Sequence, residues 1–423
     1  MDIKHFLKPA LKRLGIDKLR KHQHKPVSAL LNGLDTVIVA ATSSGKTVIF
    51  QLPALVYGGL TLVIEPTLAL IYDQVRRLQE HGIPADYIDH TRKEKDIDAI
   101  LKNARKGKLT FLYVTPERLQ NKSFREVMKE VDLSMIVVDE CHCITEWGYT
   151  FREAYLQIGD FVDTLPKRPI LCACSATVMN GQLDELIHSL HMKQPQVFRG
   201  DLRRDNLILL KKDVTSEKKS LEKRLIERFK AMDKMIRKYW RDGSVVIYAL
   251  TTGYVDAIYN HLDELYPGQV ARYHAQIKSD KLKHQMEMDF LQGEKKIMVA
   301  TTAFGMGIDI PDIELVIHFN TPISMTDYIQ QIGRAGRDGR KAHCVLFYDH
   351  NGDDRRIFSS FQKKSVQHSG KAAKILTERY QQMQAFAESP ACMVQDVLRS
   401  QGQVEEKRCK CCTNCAKMRR GDR

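Results

Sequence analysis

The chain contains no run of about 18 apolar residues, so nothing in its 423 residues reads as a membrane-spanning helix. Its first residues, MDIKHFLKPALKRLG, lack the apolar core and the small-residue cleavage site of a secretory signal. No internal repeat occurs at a solenoid period, and no segment is of low complexity. Acidic residues are in deficit, 52 against 66 Lys and Arg, for a formal net charge of +14. Together these absences predict an intracellular protein, cytoplasmic if bacterial and nuclear if eukaryotic. The ten cysteines are then expected to stay reduced.

A hydrophobic fraction of 43% is enough to build real cores, and the length suits about two or three domains. Much of the positive charge lies at one end: from Arg355 onward 15 Lys and Arg face 6 Asp and Glu. Such an imbalance suits a polyanion partner, and it also suits a plain solubility surface. Near the same end, Cys409, Cys411, Cys412 and Cys415 fall within seven residues. In a reducing compartment, clustered cysteines suggest a metal rather than disulfides.

Short apolar runs alternate with stretches of helical spacing. TVIVA, LTLVIE, LTFLYV, MIVVDE and ILCACS form one series, and SVVIYA, QVARYHA, KIMVATT, LVIHF and HCVLFY a second. This is the pattern of two parallel sheets flanked by helices. The polar stretch 199–220 between the series reads as a linker. After about Asn351 strand-like runs cease, and KAAKILTERYQQMQAFAE and ACMVQDVLRSQG have helical spacing. The expected domains are therefore 1–200, 201–350 and 351–423.

The segment VIVAATSSGKTVIF places a strand, a tight loop and a helix around Gly45-Lys46-Thr47. That is a phosphate loop: the backbone of Thr42, Ser43, Ser44 and Gly45 with the helix N-terminus receives phosphate oxygens, Lys46 adds a point charge, and Thr47 can bind Mg²⁺. Ala40 stands where the strict pattern has its first glycine. About 90 residues on, MIVVDECHC ends a buried strand in Asp139 and Glu140. Strand ends of this kind face the ligand crevice. Asp139 can join the Mg²⁺ shell, and Glu140 can orient and deprotonate a water. Downstream, TEWGYTFREAY gathers Trp147, Tyr149, Phe151, Arg152 and Tyr155. Aromatic rings with a guanidinium can stack single-stranded bases, whereas buried aromatics would read as core.

DECH, SAT (Ser175–Thr177), ATTAFGMGIDIP and YIQQIGRAGRDGR resemble the ordered motifs of superfamily 2 DEAD/DEAH-type helicases. FLYVTPERL, CHCITEWGYTFREAY and the terminal cysteines resemble the RecQ branch, from about Leu14 to Cys415. The resemblance implies two tandem RecA-like α/β domains followed by a small helical zinc-binding subdomain. It implies that Arg20 and Gln23 read adenine, with the Gln amide offering both a donor and an acceptor. Ile16 stands where the family has a stacking aromatic, which would loosen base selectivity. Arg334 and Arg337 match the paired arginines that reach the γ-phosphate, Arg337 as the finger, and Gln330 and Asp309 match residues that link the nucleotide to domain closure. Trp147, Phe151 and Arg152 match the loop that reports bound DNA to the ATP site, although Glu146, Tyr149 and Thr150 replace the usual Gln, His and Asp.

The family's zinc spacing, Cys-x16-Cys-x2-Cys-x2-Cys, falls on Cys392, Cys409, Cys412 and Cys415. Cys411 is the bystander or an alternative ligand. Cys141, Cys143, Cys172, Cys174 and Cys344 lie on or beside strand-like runs and read as small core residues. Many relatives continue into a winged-helix domain. The sequence given stops at Arg423, and a partner protein is then a candidate source of a strand-separating wedge for an otherwise monomeric motor. The resemblance implies an ATP-, Mg²⁺- and Zn²⁺-dependent 3′-to-5′ helicase on single-stranded and partly duplex DNA. Two alternatives stand beside it: a DNA-bound ATPase switch or assembly subunit, and a helicase acting on RNA.

Overall fold

The computed structural model describes residues 3–41, 44–147, 153–218, 220–304, 312–350, 352–368 and 370–420. The chain divides into two compact units, Met1–Leu202 and Arg203–Arg423. Among the described residues no helix is long and apolar enough to cross a membrane.

The first unit holds β1 (Thr36–Val39), β2 (Leu60–Ile64), β3 (Ala85–Ile88), β4 (Phe111–Val114), β5 (Leu133–Val138), β6 (Ile170–Ser175) and β7 (Gln196–Arg199). All pair in parallel in the order β3-β4-β2-β5-β6-β1-β7. Val37, Leu62, Val63, Phe111, Ile136 and Val137 are fully buried, as expected of strands covered by helices on both faces. The two outermost strands are the ones the hydrophobic pattern does not announce. ADYI carries Asp86, and QVFR is largely exposed. A parallel sheet presents the C-terminal ends of all its strands on one side. The order β5-β6-β1 therefore brings the loops after Val138, Ser175 and Val39 together.

The second unit holds β8 (Leu207–Asp213), β9 (Ser244–Tyr248), β10 (Val270–Tyr273), β11 (Ile297–Ala300), β12 (Ile313–His318) and β13 (Ala342–Tyr348), again parallel, in the order β10-β11-β9-β12-β13-β8. One expectation is corrected here. The stretch 199–220 is not a plain linker, because β8 lies inside it and pairs with β13 from Leu207↔Ala342 to Asp213↔Tyr348. Leu207 and Leu209 are buried, but Arg203, Arg204, Lys211 and Lys212 around them hide the strand in the hydropathy pattern. An edge strand tolerates such charges.

The helices after β13 belong to this second unit. Asp353–His368 lies against Gly370–Glu388, with Phe358 and Tyr380 stacked at 4.0 Å and 6°. A buried charge cluster ties them to the sheet. Arg228, on the helix Leu221–Tyr239, donates to both carboxylate oxygens of Asp354 at 3.0 and 3.1 Å and to Asp349 at 3.0 Å. Asp354 also accepts from Asn320 Nδ2 at 2.7 Å and from the Thr321 amide at 2.8 Å. One turn away, Arg224 grips Asp353 with two bonds.

Breaking a buried pair strands a charge, which costs about 3–5 kcal/mol. Asp354→Ala is therefore expected to reduce the unfolding free energy of the second unit by that order and to lower its urea midpoint accordingly. Replacing Arg228 and Asp354 together by Met and Leu should recover part of the loss. Equal midpoints for the wild type and Asp354→Ala in urea would rule the cluster out as a stabilising element.

Candidate nucleotide site and cysteine cluster

The phosphate loop leaves β1 at Ala40, whose amide donates to Ser175 O at 3.0 Å, so its entry is fixed by the SAT segment. It closes at Gly45, the N-cap of the helix Lys46–Tyr57, with φ 80. Only glycine suits this position. The conformation is left-handed, and an added Cβ would lie 2.7 Å from Gln23 Nε2. Gln23 is buried at 3% exposure. Its Oε1 accepts from the Arg20 amide at 2.8 Å, and its Nε2 donates to Gly45 O at 3.0 Å. The amide that the resemblance assigns to adenine is thus bonded to backbone at both ends. Lys46 Nζ donates to Ala40 O at 3.0 Å, and Thr47 is half-buried in the first turn. Ser44 is half-buried, and its carbonyl meets His22 Nε2 at 2.9 Å. Ile16 is partly buried and packs against the core of the first unit. Thr42 and Ser43 lie outside the described residues.

Asp139 follows β5 and is buried; its Oδ1 accepts from the Glu140 amide at 2.9 Å. Glu140 takes the left-handed conformation with φ 46, rare for a residue with a side chain. Its Oε2 lies 3.2 Å from His142 Nδ1, which is 3.0 Å from Ser175 Oγ. Ser175 Oγ in turn donates to Thr177 O and accepts from the Thr177 amide. The DECH and SAT segments are therefore one hydrogen-bonded unit. Burial, with the Glu140 charge beside it, pushes the Asp139 carboxyl up to about 6, against the pull of Lys46. Glu65, at the exit of neighbouring β2, is fully buried and is held well above the usual carboxylate range by burial and then by Asp139 and Glu140. Sequence reasoning passed over Glu65. The signal was available, since it too is an acid closing a buried strand. Carboxyls crowded in this way form a seat for a cation, so the donor set suits Mg²⁺.

Trp147 ends the helix His142–Trp147, and Phe151, Arg152, Tyr149 and Thr150 lie outside the described residues. Tyr155 is a correction. It is fully buried and belongs to the core, so it cannot offer a face to a base.

In the second unit Ser324 caps the helix Met325–Ile332, its Oγ accepting from the Asp327 amide. Gln330 sits half-buried on this helix. Arg334 and Arg337 follow in the turn, both half-buried and both beside the buried Tyr248, whose hydroxyl is raised by burial and drawn back by the two guanidinium charges. Between them Gly336 has φ 56, and an added Cβ would meet Asn206 Nδ2 at 2.5 Å and Arg340 O at 2.7 Å. Arg204 and Asn206, in the supposed linker, bond to this turn, a role that no sequence signal announced. Asp309 lies outside the described residues.

Cys392, the N-cap of the helix Met393–Ser400, meets Cys409, Cys412 and Cys415, and the four Sγ atoms lie within 4.8 Å of one another. Backbone amides of Cys409, Cys412 and Cys415 point at Sγ of Cys392, Cys409 and Cys412 at 3.4, 3.4 and 3.5 Å. Four sulfurs around zinc at about 2.3 Å would be about 3.8 Å apart. Cys392 to Cys409 is 3.5 Å, and Cys409 to Cys415 is 3.9 Å. Crowding splits the thiols. Donation by Cys412 draws Cys409 down to about 4, while Cys412 is pushed up by its bond to Cys409 and Cys415 by burial. A divalent ion at the centre would favour the thiolate at all four, so the donor set fits zinc. Cys411 is exposed and outside the quartet, whereas Cys141, Cys143, Cys172, Cys174 and Cys344 are buried in the cores. The cluster docks on β8: the Lys211 amide donates to Thr413 Oγ1, and Asn414 Nδ2 donates to Ser389 O and Ala391 O.

A phosphate loop beside paired acids in one parallel sheet, with an arginine turn on a second, defines the class of superfamily 2 helicases. Residues 20–186 match the family model for the DEAD/DEAH box helicase, and residues 227–339 match that for the helicase conserved C-terminal domain. The ATP-dependent DNA helicase RecQ of Pasteurella multocida is 32% identical over 95% of this chain and 60% of its own length, and that of Bacillus subtilis 32% identical over 96% and 66%. A putative ATP-dependent RNA helicase of Acanthamoeba polyphaga mimivirus is 31% identical over 97% of this chain and 72% of its own. The chain belongs to the RecQ family. It spans less than two thirds of the length of the two bacterial relatives. Among solved structures, the DUF1998 helicase MrfA bound to DNA aligns with a TM-score of 0.67 at 20% identity, over 90% of this chain and 54% of that one. Saccharomyces cerevisiae Dbp5 bound to RNA and ADP BeF3 aligns at 0.63, also 20% identical, over 89% and 97%. These likenesses establish the shared fold.

In a closed four-cysteine site, loss of one ligand forfeits metal-linked folding energy. Cys409→Ser is expected to lose bound zinc and melt earlier, and Cys411→Ser to do neither. Equal zinc content in the two variants by metal analysis would overturn this choice of ligands.

Proposed function

We propose that the chain is an ATP-dependent DNA helicase of RecQ type, coupling ATP hydrolysis to 3′-to-5′ movement on single-stranded DNA and to duplex unwinding. The observation that carries the reading is the meeting of Lys46, Asp139 and Glu140 at the ends of β1 and β5 in a chain similar over nearly its whole length to enzymes named as DNA helicases. The direction rests on family membership alone.

In this reading residues 1–200 and 201–350 are the two motor domains, and 351–423 is the zinc-holding subdomain. The loop amides of 42–45 and Lys46 bind the phosphates, and Arg20 and Gln23 bind the base once Gln23 releases the loop backbone. Thr47 and Asp139 hold Mg²⁺, whose charge offsets that of the phosphates. Glu140, its carboxylate oriented by His142, takes the proton of the attacking water. Arg334 and Arg337 act on the γ-phosphate, a contribution worth about 10³–10⁵ in rate for a finger arginine. Gln330 and Asp309 couple nucleotide state to closure. Trp147, Phe151 and Arg152 contact single-stranded DNA. Cys392, Cys409, Cys412 and Cys415 hold zinc in a closed structural site, which supplies folding energy and no chemistry. The protein works inside the cell as a monomer, with a partner as a candidate source of a wedge.

An RNA substrate is the second reading, favoured by the mimivirus relative named as an RNA helicase. Matched DNA and RNA partial duplexes with 3′ or 5′ tails separate the readings. Unwinding of the 3′-tailed DNA is expected. Preference for RNA would replace the substrate, and DNA-stimulated hydrolysis without strand separation would reduce the protein to an ATPase switch.

Lys46→Ala removes one charge from the phosphate loop and nothing from the core. It is expected to abolish ATP hydrolysis while leaving melting temperature and DNA affinity near wild type. A near-normal turnover number for this variant would sink the phosphate-loop assignment.

Trp147→Ala is expected to keep basal ATPase and lose most of its stimulation by DNA. One lost stack is worth about 1–3 kcal/mol at most, so if the defect lies in coupling it persists at saturating DNA. Loss of a core tryptophan would instead cost about 3–5 kcal/mol and lower basal hydrolysis and melting temperature together. A variant that melts normally and responds fully to saturating DNA refutes the sensing role.

A further inference from the structure

The turn carrying Arg334 and Arg337 is braced from within and from outside; within it, the Asp338 carboxylate accepts from the Arg340 amide at 2.9 Å and from Arg340 Nε at 2.6 Å. Its backbone bonds include those from Arg334 and Ala335 to Gln331 and Ile332 at the helix end and one from Gly339 to Gly336; the Gly336 amide donates to Ile313 O on β12. Its carbonyls are held from outside, by two side chains just ahead of β8. Arg204 donates from Nη1 to Gly333 O at 3.3 Å and from Nη2 to Ala335 O and Gly336 O, each at 2.9 Å. Asn206 Nδ2 donates to Gly336 O at 2.8 Å and to Arg340 O at 2.9 Å. The two side chains are joined, Arg204 Nε to Asn206 Oδ1 at 3.3 Å, and Asn206 O accepts from the Ala342 amide at 3.0 Å.

A buried guanidinium usually faces a carboxylate. Arg204 is half-buried, its charge is disfavoured by burial and further by Arg337 nearby, and its fork is directed at backbone carbonyls. A third arginine beside two others is unfavourable as electrostatics. It does make sense as geometry, because one planar fork can fix three carbonyls of a single turn, those of Gly333, Ala335 and Gly336, that no tetrahedral ammonium matches. The Gly336 conformation, which places Arg334 and Arg337 on either side of it, closes over the Asn206 amide.

We propose that Arg204 and Asn206 are positioning residues for the arginine turn: they set the backbone from which Arg337 acts, and contribute to turnover only through it. The inference rests on the assignment of Arg337 to the γ-phosphate. A misplacement of about 1 Å in a reacting group costs about 10²-fold in rate.

The test is a mutant cycle on the full chain, read as DNA-stimulated ATP turnover. Arg204→Ala and Asn206→Ala are each expected to lower kcat by about 10–100-fold, with the KM for ATP, the affinity for single-stranded DNA and the melting temperature near wild type. Arg204→Lys, which keeps the charge without the fork, should not rescue. The deciding measurement is the double variant. Arg204→Ala combined with Arg337→Ala should be no slower than Arg337→Ala alone, because a positioning residue has nothing left to position. Multiplying defects would overturn the proposal, as would a wild-type kcat in Arg204→Ala beside an inactive Arg337→Ala. A normal kcat in Arg337→Ala would instead bring down the assignment of the finger. Should Arg204→Ala melt early, Asn206→Ala with Arg337→Ala decides by the same criterion.

Discussion

A parallel sheet gathers the C-terminal ends of its strands along one side, and each end hands the chain to a loop with backbone groups that the sheet no longer pairs. Much of the chemistry proposed for the first unit follows from that constraint. Ala40 leaves β1 toward a loop that presents amides, Asp139 leaves β5, Ser175 leaves β6, and Glu65 leaves β2. The acids cluster because the strands do, and their raised proton affinities mark a place where positive charge is needed. Lys46 is one such charge. Its Nζ donates to the Ala40 carbonyl, at the exit of β1.

The second unit applies the same sheet to a different end. Here too acids follow the strands, Asp213 closing β8 and Asp349 following β13, but the notable side chains are arginines. Some of these are neutralised. Arg224 and Arg228 are matched by Asp353, Asp354 and Asp349 in a cluster that also captures the Asn320 side chain and the Thr321 amide, joining the sheet to the helices beyond β13. Arg204 is directed instead at backbone. The contrast separates arginines that hold the fold together from arginines that hold a loop in shape.

How much of this could be read from the sequence varied with the kind of signal. Strands buried on both faces, such as TVIV and IMVA, stand out because all their positions but Thr36 are apolar. β3, β7 and β8 do not, since an edge strand keeps charges such as Asp86, Arg199 and Lys212 on its open side. Lys46, Asp139 and the cysteine spacing are legible because phosphate and metal chemistry constrain residue type and spacing locally. Glu65 was overlooked although it obeys the same rule as Asp139. Arg204 and Asn206 were not legible, because their partners are carbonyls more than a hundred residues away and a carbonyl has no residue type. Tyr155 was misjudged because an aromatic-rich segment looks alike whether its rings face a groove or the core; only burial separates them.

The docking of the cysteine-bearing helices on β8 has a colloidal consequence. β8 ends its sheet, and its outer side is occupied by the terminal helix Thr413–Arg420, with the Lys211 amide bonded to Thr413 and Arg203 paired to Glu405 at 2.8 Å. An uncovered edge strand is a template on which other chains can pair. Whatever keeps that short helix folded therefore also keeps this one edge of the sheet covered. The cysteine cluster, far in sequence from β8, thereby bears on how far that strand is exposed to other chains.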